Sequence, residues 1–345
     1  MITGLDGERV LAADIGATNC RFALFSTSPE LSLVREQWFK GADFASFGDV
    51  LDALRRPGPA GLDGPDGSPP FLREGEPPHI AVIAPAGPVV REASGEYCRI
   101  SNLPWRIDGR EASAALGAPV RLINDFVAQA YACLVPDRAD AAAVSGQTPG
   151  VPGAPVAVAG AGTGFGTALV LNADTGLRGL LEGKVAVLPG EGGHAEFPFL
   201  GKEEAEFARF AAKAAGTERL IGDAVVSGEG LGRLFTYLTG RETHPHQAAA
   251  EAPQHPEVMR WYARFYGRAC RIYVLHTLAL GGLYITGGMA LRVPVLRHPA
   301  FAEEFCASAA QRSLLEKVPV RHMRSPQAGL WGAALYGLAE LTSRH

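Results

Sequence analysis

The feature that most constrains this chain is a strand–turn–strand pattern that occurs twice. In the first copy, the apolar residues 10–13 and 22–25 lie on either side of a polar turn at residues 14–19. In the second copy, two apolar runs flank a glycine-rich turn at residues 160–166. Short apolar runs joined by turn residues predict antiparallel hairpins. The repeat therefore indicates two related halves within one chain.

The first turn has the residue types of an anion-binding turn. Asp, Gly, Thr and Asn tolerate unusual dihedrals, and such turns direct backbone N–H groups outward, where they bind anions. A carboxylate at Asp14 is suited to hold a hydrated cation such as Mg²⁺. When Gly160 is aligned with Asp14, Gly162 falls opposite Gly16, which predicts two hairpins that face one polyphosphate from opposite sides of a cleft. The alternative, from this stretch alone, is an ordinary hairpin turn.

Composition indicates a globular protein of about two domains. The chain has 345 residues, of which 47% are hydrophobic and 20% are charged, enough for two separate cores. The net charge of −4 disfavours a nucleic-acid partner. No uncharged apolar stretch reaches the ~18 residues of a membrane span, and the first residues lack the pattern of a signal peptide. Five scattered cysteines without a C-x-x-C pair indicate a cytoplasmic protein and argue against a zinc site.

Two polar residues follow a predicted strand at residues 120–123. Asn124 and Asp125 stand at its carboxyl end, before a predicted helix at residues 127–135. Ligands of open α/β sheets bind where strands end and helices begin. Asp125 therefore either caps the helix or takes part in chemistry. The two hairpins with their glycine turns favour chemistry.

A glycine-rich loop at residues 189–196 carries one carboxylate, Glu191, and one imidazole, His194. Glycines on both sides of these residues suggest a backbone that comes close to a small polar ligand. A single histidine is more often structural, but its place in this loop favours a ligand role. The loop contains neither an H-E-x-x-H pattern nor a cysteine, so no metal site is predicted there.

The rest of the pattern predicts alternating strands and helices. Residues 55–78 and 244–255 are predicted as loops, residues 222–228 as a turn with a strand-like link, and Trp105 as a core residue. Small residues at the start of the last helix predict tight packing. The further strands are predicted at residues 33–39, 79–86, 283–286 and 318–323, and the helices at residues 44–54, 110–116, 203–215, 231–238, 256–280 and from 328 onward.

Three common motifs are absent from the sequence. There is no G-x-x-x-x-G-K-[ST], which excludes a P-loop enzyme. Phe165 interrupts G-x-G-x-x-G in the second turn, which disfavours a dinucleotide fold. Val225 interrupts G-x-S-x-G around Ser227, which excludes the α/β-hydrolase elbow.

Five motifs follow one another in an order that resembles a known family. They are Asp14-Ile-Gly-Ala-Thr-Asn, Ile123-Asn-Asp-Phe, Gly160-Ala-Gly-Thr-Gly, Pro189-Gly-Glu-Gly-Gly-His and Gly287-Gly-Met. Together, over nearly the whole chain, they resemble the bacterial glucokinases of the hexokinase-like, actin-related ATPase superfamily. The related sugar kinases and repressors of the ROK type carry a His/Cys zinc cluster that this sequence lacks. The resemblance is therefore to the non-ROK branch.

The resemblance implies a two-domain α/β fold of the actin-like/ribonuclease H-like ATPase type with an interdomain cleft. A small α/β domain would comprise residues 1–122 and about 327–345, and a large α/β domain residues 123–326. The implied reaction transfers the γ-phosphoryl group of ATP, with Mg²⁺, to the 6-hydroxyl of glucose. The resemblance also suggests a homodimer.

The resemblance assigns roles to individual residues. Asp125 would be the catalytic base, and Asp14 would hold Mg²⁺ through water. The glucose-binding residues would be Asn124, Asp125, Glu191, His194 and Asp223. The residues that bind ATP would be Ala13, Asp14, Ile15, Gly16, Ala17, Thr18, Asn19, Gly162, Thr163, Gly164, Gly287 and Gly288.

Two positions depart from the family pattern. Ala17 replaces a glycine of the first motif, a small change that a turn can absorb. Asp223 stands where the family usually has a glutamate that hydrogen-bonds the sugar, so mannose, fructose or glucosamine are alternatives to glucose. A sugar sensor without catalysis is the second alternative. The presence of Asp14, Asp125 and the two hairpin turns that are predicted to bind phosphate argues against a sensor.

Overall fold

The computed structural model describes residues 7–16, 18–57, 69–100, 103–146, 149–171 and 185–343. Contacts between residues divide the chain into two compact units. The first unit comprises Met1–Ala139 and Pro326–His345, and the second comprises Asp140–Ser325. Each unit has its own sheet and its own hydrophobic core.

Strands and helices alternate along the described residues. The strands are β1 (Arg9–Ile15), β2 (Asn19–Ser26), β3 (Ser32–Lys40), β4 (Ile80–Pro85), β5 (Val89–Glu92), β6 (Gly95–Arg99), β7 (Arg106–Asp108), β8 (Val120–Leu122), β9 (Ala141–Ser145), β10 (Val156–Ala161), β11 (Phe165–Leu171), β12 (Ala186–Gly190), β13 (Gly282–Thr286) and β14 (Val320–Met323). The α-helices are α1 (Phe47–Ala53), α2 (Gly109–Leu116), α3 (Asp125–Ala132), α4 (Gly201–Ala215), α5 (Gly222–Val226), α6 (Gly228–Thr239), α7 (Pro245–Glu251), α8 (Pro256–Thr277), α9 (Gly288–Arg292), α10 (Pro299–Phe305), α11 (Arg312–Leu315) and α12 (Ala328–Thr342).

The two larger sheets share one topology. The first has the strand order β3-β2-β1-β4-β8, and the second has the order β12-β11-β10-β13-β14-β9. In each, the first strand of a hairpin pairs antiparallel with the second and parallel with a later strand, β1 with β2 and β4, and β10 with β11 and β13. Antiparallel β9 extends only the second sheet. The predicted repeat of the two hairpins is confirmed.

Local sequence signals explain the helices and the core of the first unit. Ser46 caps α1, and Asp49 completes a capping box with it. Helix α2 ends at Gly117, which adopts the left-handed conformation that favours glycine. Trp105 was predicted in the core and is 3% exposed, with its Nε1 donating a hydrogen bond to the Phe44 carbonyl oxygen at 3.3 Å.

Helix α12 packs closely on α3 and on the first sheet because glycine lines the contact. A Cβ at Gly332 would overlap the carbonyl oxygen of Ala128 in α3, and a Cβ at Gly337 would press on Val10 of β1. The tight packing predicted from small residues is confirmed. Contacts therefore group residues 123–139 with the first unit, whereas the sequence prediction put them in the large domain.

A buried ion network joins three helices of the second unit. Arg268 of α8 has no exposed surface, and it donates hydrogen bonds to both carboxylate oxygens of Glu204 in α4 at 2.5 and 3.0 Å. It also donates to Glu304 of α10 at 2.9 Å. Arg264, also on α8, contacts both carboxylates, and Arg271 contacts that of Glu304. Buried charges are tolerated when they are paired and hydrogen-bonded in this way, so the network fixes α4, α8 and α10 against one another.

Two segments of the second unit differ from the sequence prediction. Residues 222–228, predicted as a turn with a strand-like link, contain helix α5, and residues 244–255, predicted as a loop, contain helix α7. The β-branched Val225 and Val226 favour a strand, but burial of both against neighbouring helices overrides that preference. Pro245 resembles a breaker in the sequence, yet proline suits the first turn of a helix, where its missing N–H is not needed.

None of the described helices is long and apolar enough to cross a lipid bilayer. The five cysteines are free thiols, and all but Cys306 are buried. The buried thiols act as small apolar groups of the core.

Arg268→Ala is expected to destabilise the second unit strongly. The change leaves the buried carboxylates of Glu204 and Glu304 without their central partner, and breaking a buried ion pair in this way costs about 3–5 kcal/mol. Urea unfolding followed by circular dichroism measures the loss in the free energy of unfolding.

Arg260→Ala is the matched control on the same helix. Arg260 pairs with Glu257 at the surface of α8, and such pairs contribute about 0–1 kcal/mol. Equal losses in the two variants would show that the buried network does not stabilise the fold.

Candidate active site

The first hairpin turn joins β1 to β2. The Gly16 N–H donates a hydrogen bond to the carbonyl oxygen of Asn19 at 3.0 Å, which closes the turn. Thr18 is exposed in the turn, and Ala17 lies outside the described residues. The turn therefore presents a short length of backbone with a hydroxyl beside it, as a phosphate site requires.

Asp14 lies between the buried residues Ala13 and Ile15, and 19% of its side chain is exposed. Its carboxylate is 3.5 Å from the guanidinium of Arg21 on β2. Burial raises the pKa of Asp14, and the positive charge of Arg21 opposes that rise. Its Oδ2 lies 3.3 Å from the position that a Cβ would take at Gly329, in the first turn of α12. Only a small residue at position 329 leaves this carboxylate its space.

Asn124 and Asp125 follow β8 at the carboxyl edge of the first sheet. Asn124 is the N-cap of α3, and its Oδ1 accepts the N–H of Phe126 at 2.9 Å. Oδ1 of Asp125 accepts the same N–H at 3.0 Å. Asn124 Nδ2 also donates to the carbonyl oxygen of Gly87 at 3.1 Å. Asp125 is the first residue of the helix. The capping role that the sequence offered as an alternative for Asp125 is therefore filled mainly by its neighbour.

Three parallel strands bring Asp14 and Asp125 to the same edge of the first sheet. β1, β4 and β8 are parallel neighbours, so their carboxyl ends share that edge. Ala86, which follows β4, donates its N–H to the carbonyl oxygen of Ile15 at 2.8 Å. The next residue, Gly87, accepts the amide hydrogen bond described above. This is the edge at which ligands of such sheets bind.

The Cys98 thiol on β6 lies near Asp125. Burial, and to a lesser extent the negative charge of Asp125, raise the pKa of Cys98 to about 11. A Cβ at Gly87 would lie 3.1 Å from Cys98 Sγ. Cys98 is therefore a neutral packing group beside Gly87 and Asp125, and it is not a nucleophile at neutral pH.

The second hairpin turn joins β10 to β11. It is closed by the Gly162 N–H, which donates to the carbonyl oxygen of Gly164 at 2.8 Å. Among the described residues, no atom lies within 4 Å of the position that a Cβ would take at Gly162, and Thr163 is exposed beside it. Gly160 differs, because a Cβ there would overlap the carbonyl oxygen of Thr286 on β13. Gly160 therefore allows close strand pairing, while Gly162 leaves open space for a ligand.

Gly287 and Gly288 follow β13, beside this hairpin. Gly287 has a φ of +93°, and a Cβ there would lie 2.5 Å from the carbonyl oxygen of Ala161 at the end of β10. Both the dihedral and the close approach require glycine. The structure thus brings Gly287 and Gly288, which are predicted to bind ATP, next to the second hairpin turn within one unit.

Gly228 is a residue of this region that the sequence analysis did not assign. Its N–H donates to the carbonyl oxygen of Gly162 at 3.0 Å, and it begins α6. The available signal is Ser227 directly before it, a helix N-cap whose Oγ accepts the N–H of Gly230 at 3.3 Å. The N–H of Gly228 therefore holds the backbone of the second turn at Gly162.

Glu191 and His194 lie on the loop that contains the 3₁₀ turn Gly192–His194. Their side chains are 66% and 64% exposed, and Glu191 Oε2 lies 3.7 Å from His194 Nε2. The Gly192 N–H donates to Oγ1 of the buried Thr167 at 3.2 Å, a contact that the sequence did not reveal. The loop therefore has an anchored backbone and two polar side chains that are available to a ligand.

Asp223 is the second residue of α5, and its carboxylate faces the same region. Its Oδ1 accepts the N–H of Phe165, directly after the second hairpin turn, at 2.7 Å. The carboxylate also lies against Gly164 and against Gly193 of the Glu191–His194 loop. The second unit therefore brings together its hairpin turn after β10, the loop of Glu191 and His194, and Asp223. The direct sugar contact predicted for Asp223 stays a prediction.

The residues around Asp14 suit a cation that is bound together with phosphate. Within the part of the chain that the structure describes, no three His, Cys, Asp or Glu side chains group into a metal site. Mg²⁺ is commonly held by one or two carboxylates, with waters and substrate phosphates as the other ligands. A single carboxylate beside an anion-binding turn fits that mode.

Comparison with known proteins gives consistent matches. The family model described as Glucokinase matches residues 11–340. A glucokinase of Stenotrophomonas maltophilia strain K279a is 31% identical over 350 residues, which cover 96% of this chain and 95% of that protein. The crystal structure of a glucokinase from an Antarctic psychrotroph has a TM-score of 0.72 at 25% identity, covering 95% of this chain and 98% of that one. A glucokinase from Balamuthia mandrillaris, solved in complex with glucose, has a TM-score of 0.75 at 19% identity, covering 96% and 94%.

The last of these likenesses shows the fold alone, because the identity is low. Glucokinase structures share the actin-like two-domain α/β architecture, so the predicted fold class is confirmed. The family model spans nearly the whole chain and includes residues of both units. The chain therefore belongs to the glucokinase family.

Proposed function

We propose that this chain transfers the γ-phosphoryl group of ATP to the 6-hydroxyl of glucose, the entry step of glycolysis. Membership of the glucokinase family supports this activity. The structural observation that supports it most is the placement of Asp125 at the same sheet edge as the Asp14 turn. Phosphoryl transfer to an alcohol needs a proton acceptor and groups that hold phosphate and its cation. In this proposal, Asp125 is the proton acceptor and the Asp14 turn holds phosphate and the cation.

In the first unit, Asn124 and Asp125 are proposed as glucose-binding residues. In the second unit, the proposed glucose-binding residues are Glu191 and His194. Asn124 already uses Oδ1 for Phe126 and Nδ2 for Gly87. One lone pair on Oδ1 and one N–H on Nδ2 are therefore left for a hydroxyl. A site of this kind rejects a sugar that lacks a matching hydroxyl, because its polar groups would be left unpaired.

In the first unit, the turn after β1 is proposed to bind ATP. In the second unit, the proposed ATP-binding residues are the turn after β10 together with Gly287 and Gly288. Turns with outward N–H groups form concavities for anions, and the open space beside Gly162 supports close approach of a phosphate. Bound Mg²⁺ supplies positive charge that neutralises the phosphates. Asp14 would hold that ion through water.

Asp125 is proposed to accept the proton of the 6-hydroxyl as the phosphoryl group is transferred. General base catalysis of this kind typically contributes ~10²–10⁴-fold. Alignment of the two substrates and backbone N–H groups aimed at the phosphates would supply much of the rest. The Asn124 cap and its Gly87 contact fix the start of α3, so they also fix the backbone of Asp125.

Two alternatives from the sequence have weaker support. Another hexose remains an alternative because of Asp223, and an ADP-release assay with glucose, mannose, fructose and glucosamine would rank the substrates. A sensor would bind glucose without turnover of ATP, and the carboxylates of Asp14 and Asp125 argue against it. A homodimer and a cytoplasmic location also stay predictions.

Asp125→Asn is expected to lower kcat for glucose by ~10²–10⁴-fold. An amide cannot accept the hydroxyl proton, but its size and hydrogen-bonding capacity preserve the fold and glucose binding. Coupled ADP release measures kcat, and isothermal titration calorimetry measures the glucose affinity.

Asp52→Asn makes the same chemical change on an exposed carboxylate of α1 and should leave kcat unchanged. If Asp125→Asn binds glucose and turns over at nearly the wild-type rate, Asp125 is not the base.

Arg21→Gln is expected to shift the acid side of Mg²⁺-dependent nucleotide binding to higher pH. Asp14 holds the cation only when it is ionised, so binding is lost as the pH falls through the pKa of Asp14. Arg21 lowers that pKa against the effect of burial, and removal of its charge raises the pKa further. Titration of a non-hydrolysable ATP analogue with Mg²⁺ across a pH series measures the shift.

Arg312→Gln removes a charge that pairs with Glu316 on the surface of the second unit and serves as the control. Identical pH profiles for Arg21→Gln and the wild type would contradict a cation held by an Asp14 carboxylate whose ionised form Arg21 favours.

A further inference from the structure

Asp223 fixes the backbone of the second hairpin turn, between β10 and β11, which is proposed to bind phosphate and is named the second phosphate turn. Its Oδ1 accepts the N–H of Phe165 at 2.7 Å, and Phe165 pairs with Ala161 across the hairpin. Its Oδ2 lies 2.6 Å from the position that a Cβ would take at Gly164. A charged acceptor on a backbone N–H makes one of the stronger hydrogen bonds in proteins. The start of β11 is therefore fixed by this carboxylate.

The same carboxylate lies on the loop of Glu191 and His194. A Cβ at Gly193 would overlap Asp223 Oδ1, so the carboxylate packs directly on the buried backbone of that loop. The preceding residue, Gly222, donates its N–H to the carbonyl oxygen of Ala195 at 3.0 Å. The first turn of α5 therefore contacts the end of the loop with its backbone and the middle of the loop with its side chain.

The length of the side chain determines this placement. Asp223 has backbone on three sides, at Gly164, Phe165 and Gly193, and two of these residues lack a Cβ. One further methylene would drive a carboxylate into that backbone or turn it elsewhere. Aspartate at position 223, which departs from the family pattern, is thus short enough to fit between the second hairpin turn and the Glu191–His194 loop.

We propose that Asp223 is a positioning residue that couples the Glu191–His194 loop to the second phosphate turn, and that this is its role in place of a direct bond to sugar. The proposal rests on the proposed function, in which the loop binds glucose and the turn binds ATP. A ligand that orders one loop then orders the other through Asp223. By linkage, glucose and nucleotide strengthen the binding of each other by the same factor.

The first test measures binding of a non-hydrolysable ATP analogue with Mg²⁺ in the absence of sugar. Asp223→Ala leaves the Phe165 N–H without its acceptor, and the affinity is expected to fall about tenfold. Asp223→Asn keeps a carbonyl acceptor at the same place and is expected to stay within about threefold of the wild type. Unchanged affinity in Asp223→Ala, with a loss only in glucose binding, would assign Asp223 to the sugar and overturn the proposal.

The second test measures the affinity of the same analogue with and without saturating glucose. Glucose is expected to strengthen analogue binding in the wild type and in Asp223→Asn, but to leave it unchanged in Asp223→Ala. Asp223→Glu retains a carboxylate but adds the methylene for which the backbone at Gly164 and Gly193 leaves no room, so it should also lose the effect of glucose. It decides the question if Asp223→Ala does not fold. An effect of glucose that persists in Asp223→Ala and Asp223→Glu, or is absent from the wild type, contradicts the coupling.

The two tests separate this proposal from the proposed function. A residue that only stabilises the fold would lower the melting temperature of Asp223→Ala without altering either affinity or the effect of glucose, and that outcome overturns the coupling. A wild type that binds the analogue but not glucose overturns the proposed function instead. The sugar-free affinities then still decide whether Asp223 fixes the phosphate turn.

Discussion

Parallel pairing beside each hairpin decides where the candidate residues lie. β1 pairs with β4 and β10 pairs with β13, so the turn after each first strand emerges at the carboxyl end of its neighbour. In the first unit this edge carries Asp14 and, one strand further, Asp125. In the second it carries Gly162 and Gly287. Backbone hydrogen bonds of the sheets depend little on individual side chains, and they determine where the candidate site residues lie in both units.

The parts of this arrangement that could be predicted are those encoded locally. Each hairpin consists of adjacent apolar runs, so residues 10–13 and 22–25 revealed β1 and β2 without knowledge of any distant contact. The apolar periodicity of residues 256–280 likewise revealed α8. Asn124 and Asp125 were found because a strand and a helix on either side of them mark a sheet edge. The alignment of Gly160 with Asp14 is also confirmed, because each is the next-to-last residue of the first strand of its hairpin.

What could not be predicted depends on contacts between distant parts of the chain. Asp223 meets Phe165 across 58 positions of sequence, and Arg268 meets Glu204 across 64. No periodicity within either segment encodes such a pair. The same reason explains the helix at residues 222–226, where two valines favour a strand until neighbouring helices bury them. Assignment of the cap to Asn124 instead of Asp125 required side-chain geometry that residue type alone does not give.

The two hairpins have the same backbone but different chemistry, and packing explains the difference. Asp14 and Gly160 hold equivalent positions in β1 and β10, each next to the last residue of its strand. The carbonyl oxygen of Thr286 fills the space that a side chain at position 160 would need. The second hairpin therefore cannot carry a carboxylate at that position, and it offers a ligand backbone and open space. The charge proposed to hold the cation is left to Asp14, whose ionised form is favoured by Arg21. A duplicated backbone thus becomes two unequal halves, one suited to the metal ion and one to close approach of the phosphates.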